Sequence, residues 1–164
     1  MIARRFAELR AQKRRALVPY ITAGHPDAER TVALMRGLEE AGADVIELGL
    51  PFSDPMADGP VIQASSQRAL ELGMNFDKLL ELAARANVGV PLVLFSYLNP
   101  ILAAGDDALV RAAQAGMSGL LLTDLPVGAD PEREARIGAG PLEFIRLVAP
   151  TTPLERMREI GEHG

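Results

Sequence analysis

The sequence predicts an α/β fold with a parallel sheet, made of five βα units behind a leading helix. Five short apolar runs alternate with segments of helical periodicity, and the connections between them are short. Apolar runs without polar alternation are typical of strands covered on both faces, and such repeats form right-handed βαβ units. A closed eight-unit barrel takes about 250 residues. The 164 residues of this chain therefore fit an open doubly wound sheet or an incomplete barrel.

The elements follow one another without an internal linker, so we expect a single domain over 1–164. The leading helix is expected over the basic, amphipathic segment 4–15. The strands are expected near 17–24, 45–51, 91–98, 119–125 and 144–149. The helices are expected over 27–42, 61–73, 76–86, 106–116, 152–160 and, weakened by interior glycines, 128–141.

Residues typical of helix ends support these assignments. Asp27 is suited to the N-cap of the helix over 27–42, and Gly42 to the position just past its C-terminus. Gly116 is placed in the same way after the helix over 106–116. Thr152 is spaced as the first residue of a capping box, with Pro153 at the first helical position.

Composition excludes several classes of protein. The net charge is −5, whereas nucleic-acid binding favours clustered Lys and Arg. The chain has no cysteine, hence no disulfide and no Cys-based metal site. No stretch approaches the roughly 18 apolar residues of a membrane helix, and the N-terminus lacks a signal peptide's apolar core. We therefore expect a cytoplasmic protein without a membrane or nucleic-acid partner.

A carboxylate interrupts the strand near 45–51. Glu47 shares one face of that strand with Val45 and Gly49, while the other face carries only Ile and Leu. Glycine leaves open space beside the carboxylate. Apolar surroundings would raise the pKa of Glu47 by desolvation, which suits proton transfer near neutral pH. The alternative is a strand-end glutamate paired with an arginine.

The loop after this strand carries two more carboxylates, Asp54 and Asp58, among three prolines. Prolines fix φ, so the loop is constrained as a preorganised site requires. Asp58 precedes a helix and is alternatively its N-terminal cap. Asp54 precedes Pro55 and is alternatively the first residue of an Asx-turn.

The remaining candidate functional residues are supported by fewer sequence features. Asp124 ends its strand, where either a catalytic group or a simple cap would lie. Tyr20 and Tyr97 are the only tyrosines, and each is expected in a pocket or in the core. His25 has no partner at the spacing of metal ligands.

The segment ELGLPFSDPMADGPVIQ (47–63) closely resembles the tryptophan synthase α-subunit family. The similarity extends in register over essentially the whole chain. It includes VPYITAGHPD (18–27), FSYLNPIL (95–102), LLLTDLPV (120–127) and RLVAPTTP (146–153). The resemblance implies a (β/α)8 TIM barrel, of which this chain would form the first five βα units.

By this resemblance, the chain would cleave indole-3-glycerol phosphate to indole and glyceraldehyde 3-phosphate. The reaction is a retro-aldol cleavage without cofactor or metal, in tryptophan biosynthesis. Glu47 and Asp58 match the family's two catalytic carboxylates. Glu47 would move protons between the glycerol hydroxyl and indole C3, and Asp58 would hold the indole N–H and stabilise the cation formed at C3.

The resemblance also implies a binding pocket and a partner. Tyr20, Phe95 and Tyr97 match positions that line the indole pocket, and Asp124 matches an acid near the site. The loop that faces the family's β subunit, in an α2β2 assembly, is matched by Pro51, Asp54 and Pro55.

Family members continue for about three more βα units, given the size of a full barrel. Those units carry the backbone that grips the substrate phosphate. Binding energy from such a remote group positions the reacting centre, so without it turnover should fall as well as affinity. Two alternatives stay open: a truncated, weakly active or silent fragment that keeps the β-facing loop, and a stand-alone lyase that needs no β subunit.

Overall fold

The computed structural model describes residues 1–163 and shows one parallel sheet flanked by helices. Within those residues the strands are β1 (Tyr20–Thr22), β2 (Ile46–Gly49), β3 (Leu92–Ser96), β4 (Met117–Leu122) and β5 (Glu143–Ile145). The helices are α1 (Ile2–Ala11), α2 (Ala28–Glu40), α3 (Pro60–Glu71), α4 (Phe76–Ala86), α5 (Leu98–Ala103), α6 (Ala108–Gln114), α7 (Pro131–Gly138) and α8 (Leu154–Gly161).

The strand order decides between the two predicted architectures. All neighbouring pairs are parallel, and the order along the sheet is the order along the chain, from β1 to β5. A doubly wound sheet reverses its strand order at a switch point, whereas a barrel does not. The incomplete barrel is confirmed and the doubly wound sheet is wrong.

The hydrogen-bonded strands are shorter than the apolar runs that predicted them. β1 covers three residues of the run near 17–24, and β5 pairs only at the start of the run near 144–149. The run near 91–98 ends early because the chain turns into α5 at Leu98, a helix that the sequence did not predict. These limits matter because Tyr97 thereby lies just beyond β3, at the N-cap of α5.

Most of the predicted helix ends are confirmed. Asp27 caps α2 by accepting a backbone N–H bond at 2.8 Å. Gly42 and Gly116 have φ values of 95° and 98°, the left-handed conformation that glycine adopts most readily. The predicted capping box is wrong, because Thr152 accepts from the N–H of Ala149 at 2.8 Å and α8 has no side-chain cap.

The two faces of the sheet build two apolar cores. The larger core lies between the sheet and the helices, and its strand residues include Ile46, Leu48, Leu94 and Leu120. The smaller core lies on the opposite face, the lumen of the incomplete barrel, and consists of Ile2, Val45, Val93 and Leu121 with Phe95 and Ile145 packed against it. Alternation of side chains along β2 places Glu47 on the lumen face with Val45.

Two carboxylates hold α1 against the N-terminal ends of the strands. Glu143, the first residue of β5, accepts the N–H groups of Ile2 and Ala3 at 2.8 and 2.9 Å. Asp44, just before β2, accepts from Arg5 at 2.6 Å and from the N–H of Leu17 at 2.8 Å. The first turn of α1 therefore covers the base of the lumen, where Ile2 joins the smaller core.

The charges of these two carboxylates are strongly stabilised. Burial alone would raise the pKa of Asp44, but the N–H of Leu17 and the guanidinium of Arg5 outweigh it, so that pKa lies below its usual value. The pKa of Glu143 is lowered too, since the N-terminal ammonium and the N–H groups of Ala3 and Ile2 outweigh burial. Both groups are thus ionised at neutral pH and bind α1 as anions.

A buried ion pair ties α7 to β5. Arg146 donates to the carboxylate of Glu134 at 2.8 Å, and each side chain is only 7% exposed. Glu134 also accepts the N–H of Gly128 at 2.9 Å, and the Arg146 guanidinium lies 3.8 Å from the ring centroid of Phe144. The pair fixes the segment between β4 and α7, next to the C-terminal ends of the strands.

We expect Arg146→Ala to lower the free energy of unfolding by about 3 kcal/mol, because it leaves the buried carboxylate of Glu134 without its cation. Urea unfolding followed by circular dichroism measures this. The matched control is Arg136→Ala on α7, whose partner Glu132 is 86% exposed while Arg136 itself is 69% exposed. Its loss should be no more than about 0.5 kcal/mol; equal losses would contradict the importance of burial.

Candidate active site

Glu47 is half-buried on the lumen face of β2. The strand register pairs it with Tyr20 on one side and Val93 on the other. Burial raises the pKa of Glu47, in agreement with the sequence prediction. Within residues 1–163 no Lys or Arg forms an ion pair with Glu47. The alternative of a strand-end ion pair is therefore not what the structure shows.

The space expected beside Gly49 is filled. A Cβ at this position would lie 2.6 Å from Cζ of Tyr20 and nearer still to the hydroxyl oxygen. The ring of Tyr20, which comes from the neighbouring strand, thus occupies the volume that the glycine leaves. Gly49 is required for this close approach, and the expectation of open space was wrong.

A short series of contacts holds the Tyr20 ring. Its ring meets Phe95 edge to face, with centroids 5.1 Å apart and an interplanar angle of 73°. Its hydroxyl lies 3.4 Å from the hydroxyl of Thr22, which is 2.7 Å from that of Ser65 on α3. Burial raises the pKa of Tyr20. Neither Thr22 nor Ser65 was predicted from the sequence, although the two-residue period of β1 places Thr22 on the face of Tyr20.

Asp58 lies in the loop between β2 and α3 and does not cap the helix. The N-cap residue of α3 is Gly59, and no side chain bonds to the first turn. The Asp58 carboxylate instead accepts the hydroxyl of Tyr97 at 3.0 Å. That hydroxyl also accepts the N–H of Ala57 at 2.8 Å. The structure therefore brings together Asp58 and Tyr97, two candidate residues that lie 39 positions apart in the sequence.

The predicted partner residues, Pro51, Asp54 and Pro55, belong to the same loop but differ in exposure. Asp54 is exposed and accepts the hydroxyl of Ser53 at 2.5 Å, while its backbone carbonyl accepts the N–H of Met56. Pro51 is buried and Pro55 is half-buried. The side chain of Met56 is 85% exposed. The loop thus presents a carboxylate and an apolar side chain to solvent.

Asp124 has a structural partner. Its carboxylate accepts the N–H of Leu98 at 2.7 Å, at the first residue of α5. The carboxylate thus bonds to the first turn of α5, a long-range contact that differs from the strand-end cap that was one of the two sequence alternatives. A contact between Asp124 and a substrate stays a prediction.

Residues 1–163 contain no group of three or more His, Asp or Glu side chains that could hold a metal ion. Nor is any helix in those residues both long enough and apolar enough to cross a membrane.

A model of the family described as "Tryptophan synthase alpha chain" matches residues 6–164. The chain belongs to this family. Among curated tryptophan synthase alpha chains, that of Thermosynechococcus vestitus is 48% identical over 98% of this chain, and that of Chromobacterium violaceum is 49% identical over 98%. These matches cover 61% and 62% of the relatives. The chain thus spans about three fifths of the length of the curated tryptophan synthase alpha chains it matches.

Solved structures of the family share the fold. Tryptophan synthase subunit alpha from Legionella pneumophila superposes with a TM-score of 0.91 at 42% identity, over 99% of this chain and 63% of that one. An open form of tryptophan synthase from M. tuberculosis superposes with a TM-score of 0.90 at 35% identity, over 99% of this chain and 66% of that one. The five strands therefore correspond to part of the TIM barrel of the tryptophan synthase alpha family.

We expect Gly49→Ala to displace the Tyr20 ring and to lower the free energy of unfolding by roughly 1–3 kcal/mol, as overpacking does. Loss of nuclear Overhauser contacts between Tyr20 and Phe95 would report the displacement. The control is Gly37→Ala on the exposed face of α2, where a Cβ would meet nothing within 4 Å. It should instead stabilise the chain by up to about 1 kcal/mol; destabilisation by both would count against the steric explanation.

Proposed function

We propose that the chain carries the acid–base machinery of a tryptophan synthase α chain and acts on indole-3-glycerol phosphate, releasing indole and glyceraldehyde 3-phosphate. The observation that supports this most directly is Glu47, a lumen carboxylate whose pKa burial raises. A carboxyl with a raised pKa exchanges a proton more readily near neutral pH than an ordinary glutamate does.

One carboxyl can serve both ends of the bond that breaks. Cleavage of the bond between indole C3 and the glycerol chain requires a proton at C3 and removal of a proton from the adjacent hydroxyl. Glu47 would donate the first proton from its neutral form and accept the second as a carboxylate, so that it ends in its initial state. This scheme requires neither a cofactor nor a metal.

Asp58 would supply charge where the reaction needs it. Protonation of indole C3 leaves a positive charge shared with the ring nitrogen, and a fixed carboxylate that accepts the N–H stabilises that charge. The rings of Tyr20 and Phe95, which are in mutual contact, would form the apolar wall against which the indole packs. Apolar contact of this kind binds the ring, and the two carboxylates act on it.

The partner and the location are part of the same proposal. The loop with Pro51, Asp54 and Pro55 would face a tryptophan synthase β subunit through its exposed residues Asp54 and Met56. Indole would pass to that subunit in an α2β2 assembly. We place the protein in the cytoplasm, where amino-acid biosynthesis takes place. Support for the partner comes from the sequence of the loop and its exposed Met56.

A partial reaction tests the proton step without the phosphate grip. In D2O, the chain should accelerate exchange of the C3 proton of indole, because protonation and deprotonation of C3 are steps of the proposed cleavage. Glu47→Gln should reduce the exchange by at least about a hundredfold, the lower range for general acid–base catalysis. Proton NMR of indole measures it.

The matched control is Glu40→Gln at the exposed end of α2, which should leave the exchange unchanged. Exchange that survives Glu47→Gln would contradict the role of Glu47. No acceleration by the unsubstituted chain would contradict catalysis by this chain and favour the silent alternative. Release of indole from indole-3-glycerol phosphate, measured alongside, should be slow.

The proposed role of this loop in binding a partner is tested by comparing the rate of indole release with and without a β subunit. With a β subunit present, Asp54→Ala should lower the stimulation of indole release by about three- to fivefold while basal release stays within twofold, since most single interface residues contribute no more than about 1 kcal/mol. Equal losses in both rates would place Asp54 in the site and not at an interface. Glu40→Ala, at the opposite end of the sheet, should change neither rate.

A further inference from the structure

A single hydroxyl group joins the end of β3 to the loop that carries Asp58. The hydroxyl of Tyr97 donates to Oδ2 of Asp58 at 3.0 Å and accepts the N–H of Ala57 at 2.8 Å. The side chain is only 3% exposed. The single O–H proton of Tyr97 is thus committed to Asp58, so Tyr97 has no donor left to offer a ligand in this arrangement.

The framework holds Tyr97 rigidly. It follows the last residue of β3 and is the N-cap residue of α5. Its ring packs against Phe52, with the ring centroids 5.2 Å apart. Because β3, α5 and the ring of Phe52 fix the ring of Tyr97, its hydroxyl points in one direction. It can therefore hold a loop that bonds to it in one position.

The other contacts of the loop shape its backbone but do not direct the carboxylate. The N–H of Asp58 donates to the carbonyl of Pro55 at 3.1 Å, and the side chain of Gln63 donates to the carbonyl of Asp58 at 2.9 Å. Among the described residues 1–163, the hydrogen bond from Tyr97 is the one that the Asp58 carboxylate receives. Its orientation therefore depends on Tyr97.

We propose that Tyr97 is a positioning residue, which acts on the reaction by holding the carboxylate of Asp58 and not by touching the substrate. This inference rests on the proposed function of Asp58. Burial raises the pKa of Tyr97, and the adjacent Asp58 carboxylate raises it further against the opposing N–H of Ala57. The hydroxyl therefore keeps its proton at neutral pH and remains a donor to Asp58.

The contact itself is tested by NMR on the whole chain. With tyrosine labelled at the 13Cζ atom, Asp58→Asn should shift the Tyr97 resonance, because a neutral amide replaces the carboxylate that accepts the Tyr97 hydroxyl. Asp54→Asn, which removes a carboxylate of the same loop that accepts from Ser53 instead, should leave the resonance in place. A Tyr97 resonance that Asp58→Asn leaves unchanged would overturn the contact.

The consequence for binding is tested with indole and 1-methylindole, which lacks the N–H. Because the chain has no tryptophan, the fluorescence of either ligand can be followed directly. Asp58→Asn should weaken binding of indole by roughly tenfold, the effect of one hydrogen bond to a charged group. Tyr97→Phe keeps the ring and should weaken binding of indole by a similar factor. Both variants should bind 1-methylindole with the affinity of the unsubstituted chain.

The double variant separates positioning from direct contact. If Tyr97 acts through Asp58, adding Tyr97→Phe to Asp58→Asn should cause no further loss. The positioning role would be overturned if the double variant bound indole more weakly than Asp58→Asn does, or if Tyr97→Phe alone left the affinity for indole unchanged. If Asp58→Asn shifts the Tyr97 resonance but does not weaken binding of indole, the proposed function of Asp58 would be wrong. The role of Tyr97 in the reaction would then be wrong as well, although the contact between the two residues would stand.

Discussion

The parallel register of β1, β2 and β3 is the constraint on which the site depends. It places Tyr20, Glu47 and Val93 at one level of the sheet, side by side. Because side chains alternate along each strand, the same register places Thr22, Gly49 and Phe95 at the next level on the same face. A shift of one residue would turn Glu47 towards the helices, where the larger core has no place for a carboxylate.

Two kinds of carboxylate are separated along this sheet. Those at the N-terminal ends of the strands, Asp44 and Glu143, have lowered pKa values because cations and N–H groups surround them. Glu47, further along β2, has a raised pKa because burial is not offset by such partners. The same residue types thus act as a fixed anion in one place and as a candidate proton carrier in the other, according to their neighbours.

Local patterns in the sequence predicted those structural features that depend on residues close together in the chain. The N-cap of Asp27, the turn glycines and the face of Glu47 follow from short-range spacing. The contact of Tyr97 with Asp58 spans 39 residues, and that of Asp124 with Leu98 spans 26. Such contacts depend on how strands and loops are packed together, so spacing could not reveal them.

Gly49 illustrates the same limit at a single position. A glycine beside a carboxylate predicted free space, but the space belongs to a side chain of the adjacent strand. Thr152 had the spacing of a cap, yet its hydroxyl bonds backward to Ala149. In both cases the fold supplies a competing partner, which takes precedence over the local preference of the residue.

The bond network at Glu143 has a further consequence for cooperativity. It joins the first residues of the chain to a strand that begins 142 positions later, and so closes a ring through nearly the whole molecule. Any fluctuation that loosens β5 withdraws the acceptor from the first turn of α1 and exposes the base of the lumen. The stability of α1 is therefore thermodynamically linked to that of β5, in addition to its link with β2 through Asp44.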